Sequence, residues 1–158
     1  MSIKCYCCNS RLVYPLDDPN ELGPVVHVLS EKISETHYTE EGWSQITTGR
    51  SFHYYFCDLN CWYLSLLGLQ SRLNLRKVYP KGNQKTTHCC RCEEPMSRSI
   101  PHVSYSMITG RVNSKDSHLG IRSDSEIELA VLCPSCLPVN ESHTHECGDY
   151  RPDYEIIL

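Results

Sequence analysis

The chain has 158 residues, a formal net charge of −4 and eleven cysteines. That length suits one ordinary domain or two small modules, and halves of about 75 residues would sit near the lower limit for a self-sufficient core. The acidic balance excludes a dominant, non-specific grip on nucleic acid, and no apolar run approaches the roughly 20 residues of a membrane span.

The first residues, Met1-Ser2-Ile3-Lys4-Cys5, lack the apolar stretch of a secretory signal. The expectation is therefore a cytoplasmic protein, nuclear if eukaryotic, and not a secreted one. In a reducing compartment closely spaced cysteines bind metal or do redox chemistry, and an odd count argues against a complete disulfide framework. Units this small need staples, and metal is the staple the composition favours.

In chain order, Cys5-x2-Cys8 opens the sequence. Gly23-Pro24 punctuates the chain before Val25 to Leu29, a β-branched apolar run that predicts a strand. Ser51 to Phe56 predicts another, with Phe52, Tyr54 and Phe56 on one face. From Asp58 the residues Leu59, Trp62, Tyr63, Leu66, Leu67 and Leu73 recur at helical spacings. Arg76 to Thr87 is polar and basic, with Pro80 and Gly82, and reads as a linker. Beyond Cys89-x2-Cys92, Val103, Tyr105 and Met107 share a strand face, Thr109-Gly110 can turn, and Asn113 to Ser125 reads as a polar loop. Ile127, Leu129 and Val131 line a last strand that runs into Cys133-x2-Cys136. The tail after Cys147-Gly148 carries Asp149, Tyr150, Asp153, Tyr154 and Glu155 and ends in Ile-Ile-Leu.

The cysteine clusters repeat one plan of knuckle, long insert, knuckle. Cys5/Cys8 is completed by Cys57/Cys61, and Cys89/Cys92 by Cys133/Cys136. Two thiolates two residues apart turn inward on one tight knuckle and meet a single ion at about 2.3 Å; a second pair from far along the chain closes the tetrahedron. In small metal domains that binding free energy is folding free energy, of order 10 kcal/mol. The expectation is two zinc ions, held by Cys5, Cys8, Cys57 and Cys61 and by Cys89, Cys92, Cys133 and Cys136. Thiolate softness would also accept iron. Cys7 and Cys90 read as spare, each adjoining a ligand whose place it could take, and His88 could replace one thiolate of the second site. A third ion at His143, His145 and Cys147, with His88, His118 or Cys90 as fourth ligand, competes with the plainer reading of a polar, histidine-bearing tail.

Cys57 and Cys61, four residues apart, fall on one face of a helix's first turn, where the helix dipole favours thiolate. The string Tyr55-Phe56-Cys57-Asp58-Leu59-Asn60-Cys61-Trp62 resembles the FCS-type treble-clef knuckle of MYM-type and TRASH-like zinc modules, with Asp58 where that pattern commonly has serine. The resemblance implies Cys5, Cys8, Cys57 and Cys61 as ligands and macromolecular binding as the task. The second half fits a zinc ribbon or another treble clef. The fold expected is thus small, α+β and metal-stabilised: a treble-clef module with a β-hairpin and one helix over 1–76, a basic linker over 77–87, a second four-cysteine module over 88–140, and an acidic, aromatic tail over 141–158. Two such modules on a linker predict that Cys61→Ser unfolds the first and spares the second.

For function the sequence points to a non-enzymatic interaction module that binds and regulates or inhibits a protein partner, with neither a membrane nor a small-molecule substrate. Ten tyrosines and the acidic-aromatic tail favour it, since tyrosine supplies rigid contact area. The first alternative is nucleic-acid binding through the belt Arg72, Arg76, Lys77, Lys81, Lys85, Arg91 and Arg98, which only Glu93 and Glu94 oppose, with Tyr79 for stacking. Against it, 17 acidic residues lie outside the belt and repel phosphate. The second is a nuclease: Asp116-Ser117-His118 before the last knuckle, with Asn140 and His143 after it, resembles the HNH layout. There the aspartate and histidine are not adjacent, and Glu128 stands near the place of the usual asparagine.

Overall fold

A run of β-branched and small residues alternating with polar ones makes Val25–Thr39 a single long strand, β1, and a two-residue turn at Glu40-Glu41 returns the chain as β2, Gly42–Phe56. A computed structural model of the chain describes residues 3–12, 23–79, 88–115 and 118–136. Within them one α-helix, α1, spans Leu59–Arg72, and a second hairpin pairs β3, His102–Lys115, with β4, His118–Leu132. A short 3₁₀ turn at Pro134–Cys136 follows. The architecture is small α+β, and no helix among the described residues is long and apolar enough to cross a membrane.

The two hairpins do not stand apart. β1 pairs antiparallel with β3 from Val25↔Arg111 to Ser34↔His102, giving one four-stranded sheet in the order β2-β1-β3-β4. The start of the expected linker is also docked: the Lys77 amide donates to the Cys90 carbonyl, and Tyr79 donates to that of Leu129. Residues 80–87 and the tail from 137 lie outside the described residues.

The hairpins are copies in register. β2 carries bulges opposite Leu29/Ser30 and Ile33/Ser34, and β4 carries them opposite Tyr105/Ser106 and Thr109/Gly110, in each case 76 residues further on. The unpaired residues are His53 and Thr48 in β2, Leu129 and Asp124 in β4. The same shift of 76 relates Ser30 to Ser106, which sit opposite each other in the β1–β3 ladder. An approximate two-fold axis therefore passes between those two serines, and one hairpin is turned onto the other.

The bulges correct several expectations. Each inserts one residue and reverses which face the next side chain takes. Tyr54 pairs with Leu29 but Phe52 pairs with Ser30, so Phe52 leaves the face of Tyr54 and Phe56. Likewise Ile127 and Val131 part company around Leu129. Thr109-Gly110 does not turn but continues β3, and the glycine answers the bulge: a Cβ there would lie 2.3 Å from the Arg122 carbonyl oxygen. Most of the expected loop over 113–125 is strand, β3 running to Lys115 and β4 from His118. Polar strands that extend beyond the packed core lack the alternation that marks a half-buried strand.

The helix also differs from its expectation. Asp58 caps it, its Oδ1 accepting the Cys61 amide at 2.7 Å. The buried stripe is Trp62, Leu66, Leu69 and Leu73, packed over Leu29, Tyr105, Leu129 and Ala130. Trp62 is fully buried edge-on against Phe56 at 5.1 Å between ring centres. The helix thus lies over both hairpins, on Leu29 and Phe56 of the first and Tyr105, Leu129 and Ala130 of the second. Leu59, Tyr63 and Leu67, expected in the same stripe, point outward.

Candidate metal centres and the surfaces around them

Each four-cysteine group is built the same way from the backbone up. In the first knuckle Lys4 bridges to Arg11, the Cys5 amide donates to the Ser10 carbonyl at 2.8 Å, and Asn9 takes a left-handed φ of 62°. In the second His88 bridges to Pro95, Cys89 donates to Glu94 at 2.9 Å, and Glu93 has φ 64°. One bond then docks each knuckle on its hairpin: Tyr6 donates to Tyr55, and Cys90 to Val131, both at 2.8 Å. These bonds bring Cys5/Cys8 beside Cys57 at the end of β2 and Cys61 in the first turn of α1. They bring Cys89/Cys92 beside Cys133 and Cys136 at the end of β4.

Within each group all four sulfurs lie within 4.8 Å of one another. Cys8–Cys57 is 3.6 Å, Cys57–Cys61 3.5 Å and Cys92–Cys133 3.8 Å. Four sulfurs about 2.3 Å from one zinc ion stand about 3.8 Å apart, so the groups have the dimensions of that tetrahedron. All eight are free thiols.

The electrostatics point the same way. Cys8 titrates low, at about 6, chiefly because the Ser10 hydroxyl donates to its sulfur. Burial raises Cys89, but amide donors from Cys133, Cys92 and Arg91 outweigh it and bring it to about 6. Burial and the neighbouring sulfurs push Cys61 up strongly and Cys136 to about 12. One sulfur of each group ionises readily while burial and crowding resist ionisation of Cys61 and Cys136, which is the field a dication relieves. Each group can hold one zinc ion with four protein sulfurs and no position left for water, the pattern of a structural rather than a catalytic site.

The other candidates fall elsewhere. Cys7 is exposed; Cys90 is buried, with the Val131 amide 3.5 Å from its sulfur, and neither enters a group. His88 stands on the second knuckle, outside the sulfur cluster. His143, His145, Cys147, Asp116, Ser117 and Asn140 lie outside the described residues. Glu128, near the nuclease asparagine position, is held bidentately by Arg98 at 2.5 and 2.9 Å.

The described belt cations are engaged within the molecule. Arg72 lies over the Tyr6 ring at 5.4 Å, and Arg76 and Lys77 both reach Glu93. Arg91 does what the sequence reading missed: its guanidinium donates to the carbonyls of Leu73 (2.8 Å) and Asn74 (3.0 Å), and to that of Cys136. It ties the end of α1 to the second four-cysteine group. Only its place inside a CxxC knuckle marks it in the sequence. No protein-family model, curated protein or solved structure matches this chain.

Proposed function

We propose that this is a non-enzymatic zinc protein, with a treble-clef-type unit in its first half, that binds a protein partner through the outer face of α1. The observation that carries the reading is a second apolar stripe on that helix. Leu59 and Tyr63 are about half exposed, while Leu64 and Leu67 are 78% and 80% exposed. A soluble surface seldom leaves four large apolar side chains together unless something covers them. Knuckle, hairpin and a helix whose first turn brings Cys61 to the sulfurs is the order of a treble clef, and the helix is anchored on its buried side by Trp62 and Leu69. Such a rigid helix face is suited to recognition by packing. Nucleic acid is less well served, because the described belt cations are occupied by Tyr6, Glu93, Glu128 and backbone carbonyls.

The test is affinity purification from the native host with Leu64→Asp/Leu67→Asp against wild type, with zinc content measured in both. A protein recovered by wild type and lost from the variant, at two zinc ions per chain throughout, is the expected result. Identical recovery from both, or recovery that nuclease treatment removes, would overturn the proposal.

A further inference from the structure

The two edges of the sheet are guarded unequally. β2 and β4 are its outer strands, each 15 residues long. An edge strand turns the amide and carbonyl of alternate residues away from its neighbour, a template for another chain, and charged side chains are a usual guard against such pairing. β4 carries Arg122, Asp124, Glu126 and Glu128. β2 carries no charged residue from Gly42 to Gly49. At the shift of 76, Ile46 and Thr48 stand where β4 has Arg122 and Asp124.

The open length lies toward the hairpin's tip. At its other end β2 is covered by the first knuckle, where the Tyr6 amide donates to the Tyr55 carbonyl, and the bulge at Thr48 interrupts the ladder between. Gly42–Thr47 runs without irregularity and all of it is exposed, Trp43 at 69% and Ile46 at 48%. On the sheet face opposite α1 a groove of about 460 Å³ opens beside this length, lined in part by Lys32, Thr36, Trp43 and Gln45. The counterparts of Lys32, Thr36 and Gln45 are apolar: Ile108 and Val112 are buried, and Ile121 packs on the core. The charges of the groove pair with one another, Lys32 with Glu126 and Arg98 with Glu128. What remains unmatched is the exposed Trp43 ring beside an uncharged ladder.

The chain itself shows which strand this backbone accepts. β1 and β3 are equivalent strands of the two hairpins, and they pair antiparallel over ten residue pairs about the approximate two-fold axis, with Ser30 opposite Ser106. The equivalent of β2 is β4, which lies at the far edge of the sheet, so the same operation applied to β2 calls for a second molecule. A two-fold axis sets each residue near it against its own copy or a close neighbour, so a charge there meets its like. Gly42–Thr47 offers none. With the axis at Gln45, Trp43 faces Thr47 of the second copy and Ser44 faces its Ile46. Glu40 and Glu41 then come level with Gly49 and Arg50 of the second copy, so no like charges oppose each other along the ladder.

We propose that the protein forms a two-fold dimer by antiparallel pairing of β2 with β2 of a second copy, which continues the sheet through both chains. This surface is separate from the α1 face, so either reading can fail without the other.

The experiment is sedimentation equilibrium of the full-length protein, with zinc content measured, across roughly 1 µM to 1 mM, the range in which small interfaces exchange. The expected result is a mass that rises from one chain to two and no further, since a two-fold contact closes on itself. Of the two tryptophans Trp62 is fully buried, so tryptophan emission shifts over the same range through Trp43. Ile46 is about half exposed and outside the core, so Ile46→Lys leaves zinc content and melting temperature unchanged. It weakens association at least about tenfold, because the new charge lies diagonally across from its own copy. Ile46→Glu does the same, and an equimolar mixture of the two variants recovers the dimer. A mass of one chain at every concentration, association that Ile46→Lys leaves unchanged, or a mixture no tighter than its components would overturn the proposal. So would loss of the dimer in Leu64→Asp/Leu67→Asp, which would place the contact on α1 instead.

Discussion

The two hairpins share a backbone and differ in almost everything placed on it. Both bulges and the knuckle bonds recur at equivalent places, and the strands overlay residue for residue at a shift of 76. Yet Glu31 and His53, whose side chains stand 3.3 Å apart and buried in the first hairpin, answer to Met107 and Leu129 in the second. Arg50 answers to Glu126, and these two counterparts ion-pair with each other near the axis. After the third cysteine one copy continues into a 14-residue helix and the other into a three-residue 3₁₀ turn. The difference teaches where the constraint lies. Ladder hydrogen bonds and a four-sulfur cluster hold each hairpin's path without reference to its faces, so the faces were free to become a core in one copy and a polar groove in the other.

The largest expected effect breaks the comparison at its base. If the copies were independent, Cys57→Ser/Cys61→Ser would release one metal and spare the other. Ten β1–β3 pairs and the α1 face packed on the second hairpin join them into one sheet and core. We therefore expect loss of the first site, worth on the order of 10 kcal/mol, to abolish folding of both halves. Metal content near zero and no cooperative thermal transition would show it; one retained zinc with a native-like melting curve for the second half would refute it.

A smaller effect sharpens the comparison at the axis. Arg50→Glu sets a second carboxylate beside Glu126 and should destabilise the protein by about 1 kcal/mol, since both side chains are near 30% exposed and partly screened. Lys32 pulls Glu126 below the ordinary carboxylate range against the opposing effect of burial, with Arg50 adding to it. The exchange Arg50→Glu/Glu126→Arg should recover part of the loss in urea unfolding; no recovery would mean the pair contributes nothing.

The smallest effect concerns His102, which is fully buried where the second hairpin begins; its counterpart in the first is Val26. Its Nδ1–H donates to the Ile100 carbonyl at 2.9 Å, and burial lowers its pKa. The neutral ring is thus the folded form, and the unfolded ring protonates first. Its stabilising effect is full above pH about 6.5 and declines as pH falls toward the lower folded value. His102→Gln should flatten the stability profile between pH 7 and 5.5 by about 0.5 kcal/mol; an unchanged slope in paired urea titrations would remove histidine from the account.

Much of the arrangement of the cysteines was legible because it is local. A CxxC turn, or a CxxxC pair at the start of a helix, fixes sulfur positions within a few residues, and the tertiary structure gathers those eight into two groups. The helix was legible from its spacing, and Asp58 caps it next to Cys61. Its solvent side was not, because Leu64 and Leu67 are as apolar as Leu66 and Leu69, and only packing distinguishes them.

By itself, then, the sequence determined the ligand spacing, the α+β character and the places where the chain must turn at a knuckle. The tertiary structure alone decided the rest. Bulges at His53 and Leu129 reverse side-chain faces that strict alternation would have kept, because one unpaired residue shifts the phase of a two-residue period. The pairing of Val25–Ser34 with His102–Arg111 joins the copies into one sheet. Backbone hydrogen bonds between segments so far apart carry no periodic signature in either one, so the groove and the axis they create appear only once the chain is folded.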